Sequence, residues 1–426
     1  MTTLLLGIVL AALALLGAPL FVVIGIVAVI AFAAEGIDPS VVMVELYRIT
    51  SNPTLVAIPL FTLAGYILAE SKAPIRLVNL ARALFGWMHG GLAVVALLTC
   101  ALFTAFTGAS GVTIVALGGL LYPVLLQEKY GERFSLGLIT ASGSLGLLFP
   151  PSLPLILYAL FSKVSIDKLF AAGIVPGILL VAVLAGYSMW KGKKLSVPRT
   201  PFSLQGVFTS LRAAIWEVPL PILVVGGIYS GWFTATEAAA VTVVYALIVE
   251  VFVYKDLNLF ADIPRVMKDS MLLVGAIMMI LGSAFGLTSY LVDEEVPVKL
   301  FELTQTFITN PVVFLIVLNL FLIIVGMMMD IFSALIVVVP LIIPVATFYG
   351  VDPIHLGIIF LTNLEMGYLT PPVGLNLFIS SLRFEKPVLT VVRATFVFVF
   401  ILLVALVIIT YVPELSLWLV RVSGAQ

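Results

Sequence analysis

Two carboxylates stand where a lipid bilayer tolerates them least. Asp330 lies in "GMMMDIFSA" (326–334) and Glu365 in "TNLEMGYLTPP" (362–372), each inside a long apolar stretch. A charge facing lipid costs roughly 2.5–3.5 kcal/mol or more, so both must face protein or a wet cavity. Asp330 suits a cation site, a substrate gate, a proton carrier, or a cap on the helix beginning "IFSALIVVV". Glu365 is expected to pair with a neighbour, and Glu237, in "FTATEAAAV", to cap or anchor its helix. His89 and His355 fall in expected interfacial loops and read as structural.

Hydroxyl, amide and helix-breaking residues surround these carboxylates. "FTGASGVT" (106–113) and "ASGSLGLLFPPS" (141–152) form one set; the segments holding Asp330 and Glu365 form a second. A broken helix leaves orphan N–H groups on one half and orphan C=O groups on the other. The first favour anions and the second cations. Facing 107–113 with 142–152, and 328–333 with 363–372, would gather carbonyl and side-chain oxygens into two cages. With so few fixed charges, such cages suit sodium better than calcium or magnesium. The expected sodium ligands are Thr107, Gly108, Ser110, Ser142, Gly143 and Pro150, then Met328, Asp330, Asn363, Gly367 and Thr370. Ser110, Thr113, Ser152, Asp330, Thr370 and Pro371 are the expected substrate contacts. The competing reading is that the small residues only let helices pack closely.

The elements that must position these residues follow from composition. Of 426 residues 62% are hydrophobic and 10% charged, and the mean hydropathy is +1.25. A soluble chain carries about 25% charged residues, so this is a polytopic, all-α protein of the lipid bilayer. One cysteine, Cys100, and two histidines exclude a disulfide framework and a His/Cys metal centre. The net charge of -1 gives no sign of nucleic-acid binding. No phosphate-binding G-x-x-x-x-G-K-[ST], no HExxH and no paired membrane aspartates occur, so neither ATP-driven transport nor an enzyme is expected. A passive channel remains an alternative that electrical recording would expose. The N-terminus lacks a basic leader and a clear cleavage site, and reads as a retained first span.

At about 20 apolar residues per crossing, spans are expected near 4–34, 53–71, 134–161, 169–190, 214–230, 231–254, 270–291, 353–381 and 388–412. The first breaks or tilts at "GAP" (17–19). Stretches 91–127 and 312–348 are too long for one crossing and are interrupted at their middles, so each reads as a re-entrant hairpin of two half-helices. With that topology Lys and Arg divide 16 to 5 between the two faces, which puts the richer face in the cytoplasm. "PIRLVNL" (74–80) resembles "PVKLFEL" (297–303), "LGLIT" (136–140) resembles "LGIIF" (356–360), and "FPPS" (149–152) matches "TPPV" (370–373). Two copies of interfacial helix, hairpin and proline-broken span follow, inverted in the membrane, as in secondary transporters. The expected organisation is frame (1–90), first transport unit (91–161), frame and basic loop (162–230), second-repeat frame (231–310), second transport unit (311–381) and a last frame span (382–426).

Several stretches are similar to one family: "IPLFTLAGYILAES" (58–71), "PPSLPLILYA" (150–159), "FTATEAAAVTVVYAL" (233–247), "MMMDIFSALIVVVPLIIPVA" (327–346), "GVDPIHLGIIF" (350–360) and "NLEMGYLTPPVGLNLF" (363–378). They resemble the large membrane subunit of TRAP (tripartite ATP-independent periplasmic) transporters over essentially the whole chain. The resemblance implies an inverted-repeat elevator that imports organic anions, C4-dicarboxylates or sialic acids among them, with sodium as coupling ion and no other cofactor. It also implies a small four-helix membrane subunit, a periplasmic substrate-binding protein, and residence in a bacterial inner membrane. A departure is "FTGASGVTIVA" at the first tip, where the family often has an "SGS"-like run followed by an acidic residue. The alternative is a stand-alone sodium/dicarboxylate symporter of a related hairpin fold, which would transport without a binding protein.

Overall fold

The computed structural model describes residues 20–50, 53–197, 201–295, 299, 302, 305–308 and 310–422. The start of the expected first span, its "GAP", and most of the second interfacial helix lie outside the described residues. Among the described residues there is no strand. The frame begins with α1 (Leu20–Ala34), α2 (Val41–Thr50), α3 (Ala57–Glu70) and the interfacial α4 (Ala73–Phe85). The first hairpin is α5 (Gly91–Thr107) and α6 (Ser110–Gln127), and the first broken helix is α7 (Glu132–Ser142) and α8 (Leu153–Ser162). Then come α9 (Ile166–Lys194), α10 (Leu204–Ala213), α11 (Pro219–Tyr229), α12 (Ala235–Leu247) with a π-helical extension, and α13 (Asp262–Asp293). The second hairpin is α14 (Pro311–Met328) and α15 (Ile331–Phe348), and the second broken helix is α16 (Pro353–Tyr368) and α17 (Leu375–Arg383). Helices α18 (Val388–Tyr411) and α19 (Glu414–Val422) close the described chain.

Each hairpin turns over two residues, Gly108–Ala109 in the first and Met329–Asp330 in the second. Gly108 adopts φ 65°, a left-handed conformation that glycine reaches without strain, and its N–H closes α5 on Thr104 O at 2.8 Å. The arms have 17 or 18 residues, more than the expected half-helices. At 1.5 Å per residue that is about 27 Å against about 30 Å of hydrocarbon, so each tip lies deep. α7 and its short 3-10 continuation meet α8 at a bend of 44°. The two broken helices begin at Glu132 and Pro353 and end at Ser162 and Arg383, 221 residues apart at both ends. Pro150–Pro151 and Pro371–Pro372 occupy matching places, each with a cis peptide.

Packing locks the two repeats together. α5 lies on the 3-10 turn of the first broken helix and α14 on α16, while α6 crosses to α17 and α15 to α8. Thr140 Oγ1 donates to Ser380 Oγ at 2.9 Å, and Tyr158 OH donates to Pro353 O at 2.6 Å. α9 and α18, which the sequence expectation places in the frame, pack on the hairpins and broken helices, α9 on α5 and α16 and α18 on α7. Helices α1, α2, α3, α12 and α13 pack on one another as a second group. α11 has only 11 residues, about 16 Å, and does not cross alone as the expected 214–230 span would. The turn before it carries Glu217, which accepts from Arg76 Nε.

Opposite facing of the two repeats has a direct measurement. In a Cys100→Ala background, cysteines at Lys193 and Glu294 are expected to react with impermeant maleimide from opposite sides. Same-side labelling would contradict the inverted topology.

Candidate functional site

The two tips meet at a single cavity of about 320 Å³. Gly108–Val112 of the first hairpin and Asp330–Phe332 of the second form its ends. Leu147 of the first break and Tyr368 and Leu375 of the second line its sides, and Tyr66 and the α13 residues Leu273, Ala276, Ile277 and Ile280 close it. That volume is at the lower end of small-molecule sites. The walls are chiefly apolar, so the few polar groups set its chemistry.

At one end α6 begins without a side-chain cap, because its N-cap residue is Ala109. Ser110 is buried, and its hydroxyl has no hydrogen-bond partner among the described residues. The first N–H groups of that turn and the positive end of the helix dipole therefore lie at the cavity with no side-chain cap among the described residues. At the other end Asp330 accepts from Phe332 N and Ser333 N, both at 3.0 Å, and from Ser333 Oγ. The capping role holds for Asp330, whose residue still lines the cavity. Tyr368 OH accepts from Ile331 N, and Gly374 N donates to Met327 O at 3.1 Å, tying the second break to the second tip.

The first tip is tied to its break by hydroxyls. Thr104 Oγ1 lies 2.6 Å from Thr113 Oγ1 and donates to Gly143 O at 2.8 Å. Ser142 Oγ donates to Ile139 O at 3.1 Å, and Ser152 accepts from Leu155 N as an N-cap. In the second break Thr370 Oγ1 returns to Met366 O at 2.7 Å. Asn363 is fully buried, donates to Asn319 Oδ1 at 2.6 Å, and leaves its own Oδ1 without a partner. It sits 221 residues after Ser142, at the equivalent place. Of the expected site residues, Gly108, Ser110 and Asp330 line the common cavity. Thr107 and Thr113 are buried beside the first tip, and Gly367 packs against Gly326. Met328, 65% exposed, and the exposed Pro371 do not line the cavity, while Pro150 borders a separate apolar cavity with Phe149.

Three carboxylate and histidine expectations resolve. Glu237 and Thr234 form a capping box, as the cap reading required. His355 is buried in the first turn of α16 rather than in a loop, within reach of Ser416 Oγ at 3.1 Å and Thr410 O at 3.2 Å. Glu365 is fully buried, and neither carboxylate oxygen has a hydrogen-bond partner among the described residues, where pairing with a neighbour was expected. α16 is buried on every face between α14, α9 and α18; Asn363, His355 and Tyr368 on it find polar partners there, and Glu365 does not. Sequence reasoning missed Tyr66, Tyr368, Thr104 and Asn319. Only Asn319 carried a signal, as a lone amide in the apolar run of α14.

A family model described as the DctM component of tripartite ATP-independent periplasmic transporters matches residues 7–415. The chain belongs to that family. The large permease is 38% identical to the C4-dicarboxylate TRAP transporter large permease protein DctM of Pseudomonas aeruginosa, covering 88% of each chain. It is 31% identical to the 2,3-diketo-L-gulonate TRAP transporter large permease protein YiaN of Escherichia coli, covering 91% of each. Against the isethionate TRAP transporter permease protein DctMQ of Oleidesulfovibrio alaskensis it is 32% identical over 94% of this chain and 64% of that one. Its fold is shared with the crystal structure of the Alcanivorax borkumensis YdaH transporter at a TM-score of 0.63 and 14% identity, over 87% of this chain and 85% of that one.

Proposed function

We propose that this permease subunit imports small organic anions, C4-dicarboxylate-like or sialic-acid-like, driven by a sodium gradient through an elevator motion. The observation that carries the reading is the uncapped start of α6, with the free Ser110 hydroxyl, opening on a cavity sized for a small anion. Orphan helix N–H groups are ready donors for a carboxylate. Asn363 Oδ1, buried and without a partner, is an acceptor that a weakly hydrated cation would satisfy. The elevator reading is supported by the interlocked hairpin body and by the apolar α13 wall along which it would slide. A periplasmic binding protein delivers the substrate and a small four-helix subunit completes the frame; a relative named DctMQ extends well beyond this chain's length. The location follows as a bacterial inner membrane.

Uptake into proteoliposomes is the test. It is expected to rise with sodium with a Hill coefficient above one. Ser110→Ala or Asn363→Ala is expected to raise the sodium requirement by about fivefold, the loss of one hydrogen-bond-sized interaction of ~1 kcal/mol. An unchanged requirement in both variants would remove these residues from the sodium sites.

A further inference from the structure

A second polar cavity lies on the cytoplasmic face, away from the tips. It measures about 400 Å³ and sits between α4 and α10. Arg76, Asn79 and Arg82 line it from α4, and Ser203, Thr209 and Ser210 from α10 and its N-cap. Two guanidinium groups, an amide and three hydroxyls thus converge on one space. The Arg76 guanidinium is held by Glu217, by Asp256 at 2.5 Å and by Glu250 at 2.8 Å, with Tyr254 stacked on it at 3.8 Å. Burial opposes that charge, but the Asp256, Glu250 and Glu217 carboxylates outweigh it and hold the pKa above the ordinary arginine value. None of the three carboxylates lines the cavity. Arg82 reaches Glu128 at 3.0 Å through one nitrogen, and Glu128 does not line the cavity either.

The flank of this cavity is apolar. No residue of α10 is buried, and Leu204 and Phe208 are 76% and 68% exposed. Phe202, Leu211, Ile215 and Trp216 continue that exposed apolar surface. A short helix with one exposed apolar face, following the basic run Lys191, Lys193 and Lys194 in sequence, has the character of a helix that lies in a bilayer interface. Its polar residues Ser203, Thr209 and Ser210 line the cavity, while Leu204 and Phe208 are exposed. Cytoplasmic leaflets rich in anionic lipid favour basic clusters at this level.

We propose that the α4–α10 cavity is a binding site for one anionic phospholipid, with its phosphate on Arg82, Asn79 and the Ser203 and Ser210 hydroxyls and its chains along Leu204 and Phe208; the Thr209 hydroxyl, which donates to Gln205 O at 2.8 Å, turns from that carbonyl to join them. A guanidinium and several neutral donors suit a phosphodiester with no cationic headgroup, so phosphatidylglycerol is preferred over phosphatidylcholine.

The experiment is native mass spectrometry of the full chain purified with equal phosphatidylglycerol and phosphatidylcholine. Wild type is expected to retain one phosphatidylglycerol, and Arg82→Gln and the double variant Thr209→Val, Ser210→Ala to lose it at least about tenfold. The double variant disturbs no ion pair, and a size-exclusion profile matching wild type verifies its fold. Adding inorganic phosphate separates the two sources of the chemistry: the lipid is expected to stay. Equal retention of both lipids, unchanged retention in the folded double variant, or displacement by phosphate alone would overturn the proposal.

Discussion

Replacing Pro371 and Pro372 together with alanine is expected to abolish sodium-dependent uptake while the protein still folds and inserts. α16 ends at Tyr368 and α17 begins at Leu375, and the double proline stands between them. Neither proline carries an N–H for a helical bond, and each disfavours helix in the residue before it. Alanines restore both donors, so α16 can continue through Thr370, where its hydroxyl and N–H now fold back on Met366 O and Gly367 O. Continuation would pull Gly374 from Met327 O, the bond that ties this break to the second tip. Both prolines are exposed, so truncation removes no core packing and insertion is retained. The readout is sodium-stimulated uptake, expected to fall more than about tenfold, which is ~1.4 kcal/mol or more of lost site stabilisation. Normal uptake by this variant would mean that the prolines do not maintain the break.

Gly367→Ala is expected to lower the stability of the purified protein by about 1–3 kcal/mol, as overpacking does. A Cβ on Gly367 would overlap the carbonyl carbon of Gly326 on α14, and a Cβ on Gly326 would lie 3.0 Å from Leu364 Cα. Both obstacles are backbone, which cannot rotate aside, so α14 would have to leave α16. Gly146, 221 residues earlier, meets Ala101 O and Ala105 N of α5 in the same manner. Gly186 on α9 has nothing within 4 Å and is the control. There alanine is expected to be neutral or to stabilise by about 0.5–1 kcal/mol, since glycine weakens a helix interior. Thermal unfolding in detergent checks both, and a Gly367→Ala protein as stable as wild type would show that the close approach does not constrain the fold.

The sequence alone determined the membrane class, the doubled hairpin and broken helix, and the family. The first two rest on local physics, namely the scarcity of charge, prolines that cannot donate, and glycines and hydroxyls inside apolar stretches; the family rests on the resemblance of whole stretches such as "NLEMGYLTPPVGLNLF". Capping was also local, so Thr234 with Glu237 was legible, and for Asp330 the cap was one of the four roles the sequence allowed. Tertiary structure decided what those segments meet. It sent α6 to α17 and α15 to α8, and it brought the two tips to one shared cavity while each stays tied to its own break. It also chose among oxygens: Ser142 and Thr370 spend their hydroxyls on nearby carbonyls, while Ser110 and Asn363 keep an unpartnered oxygen. A hydroxyl in a run of small residues looks the same in sequence whether it bonds its own helix or faces a cavity. Only packing settles which: the cavity at Ser110 is closed by Asp330 and Phe332, about half the chain away, and Asn363 meets Asn319 on a different helix.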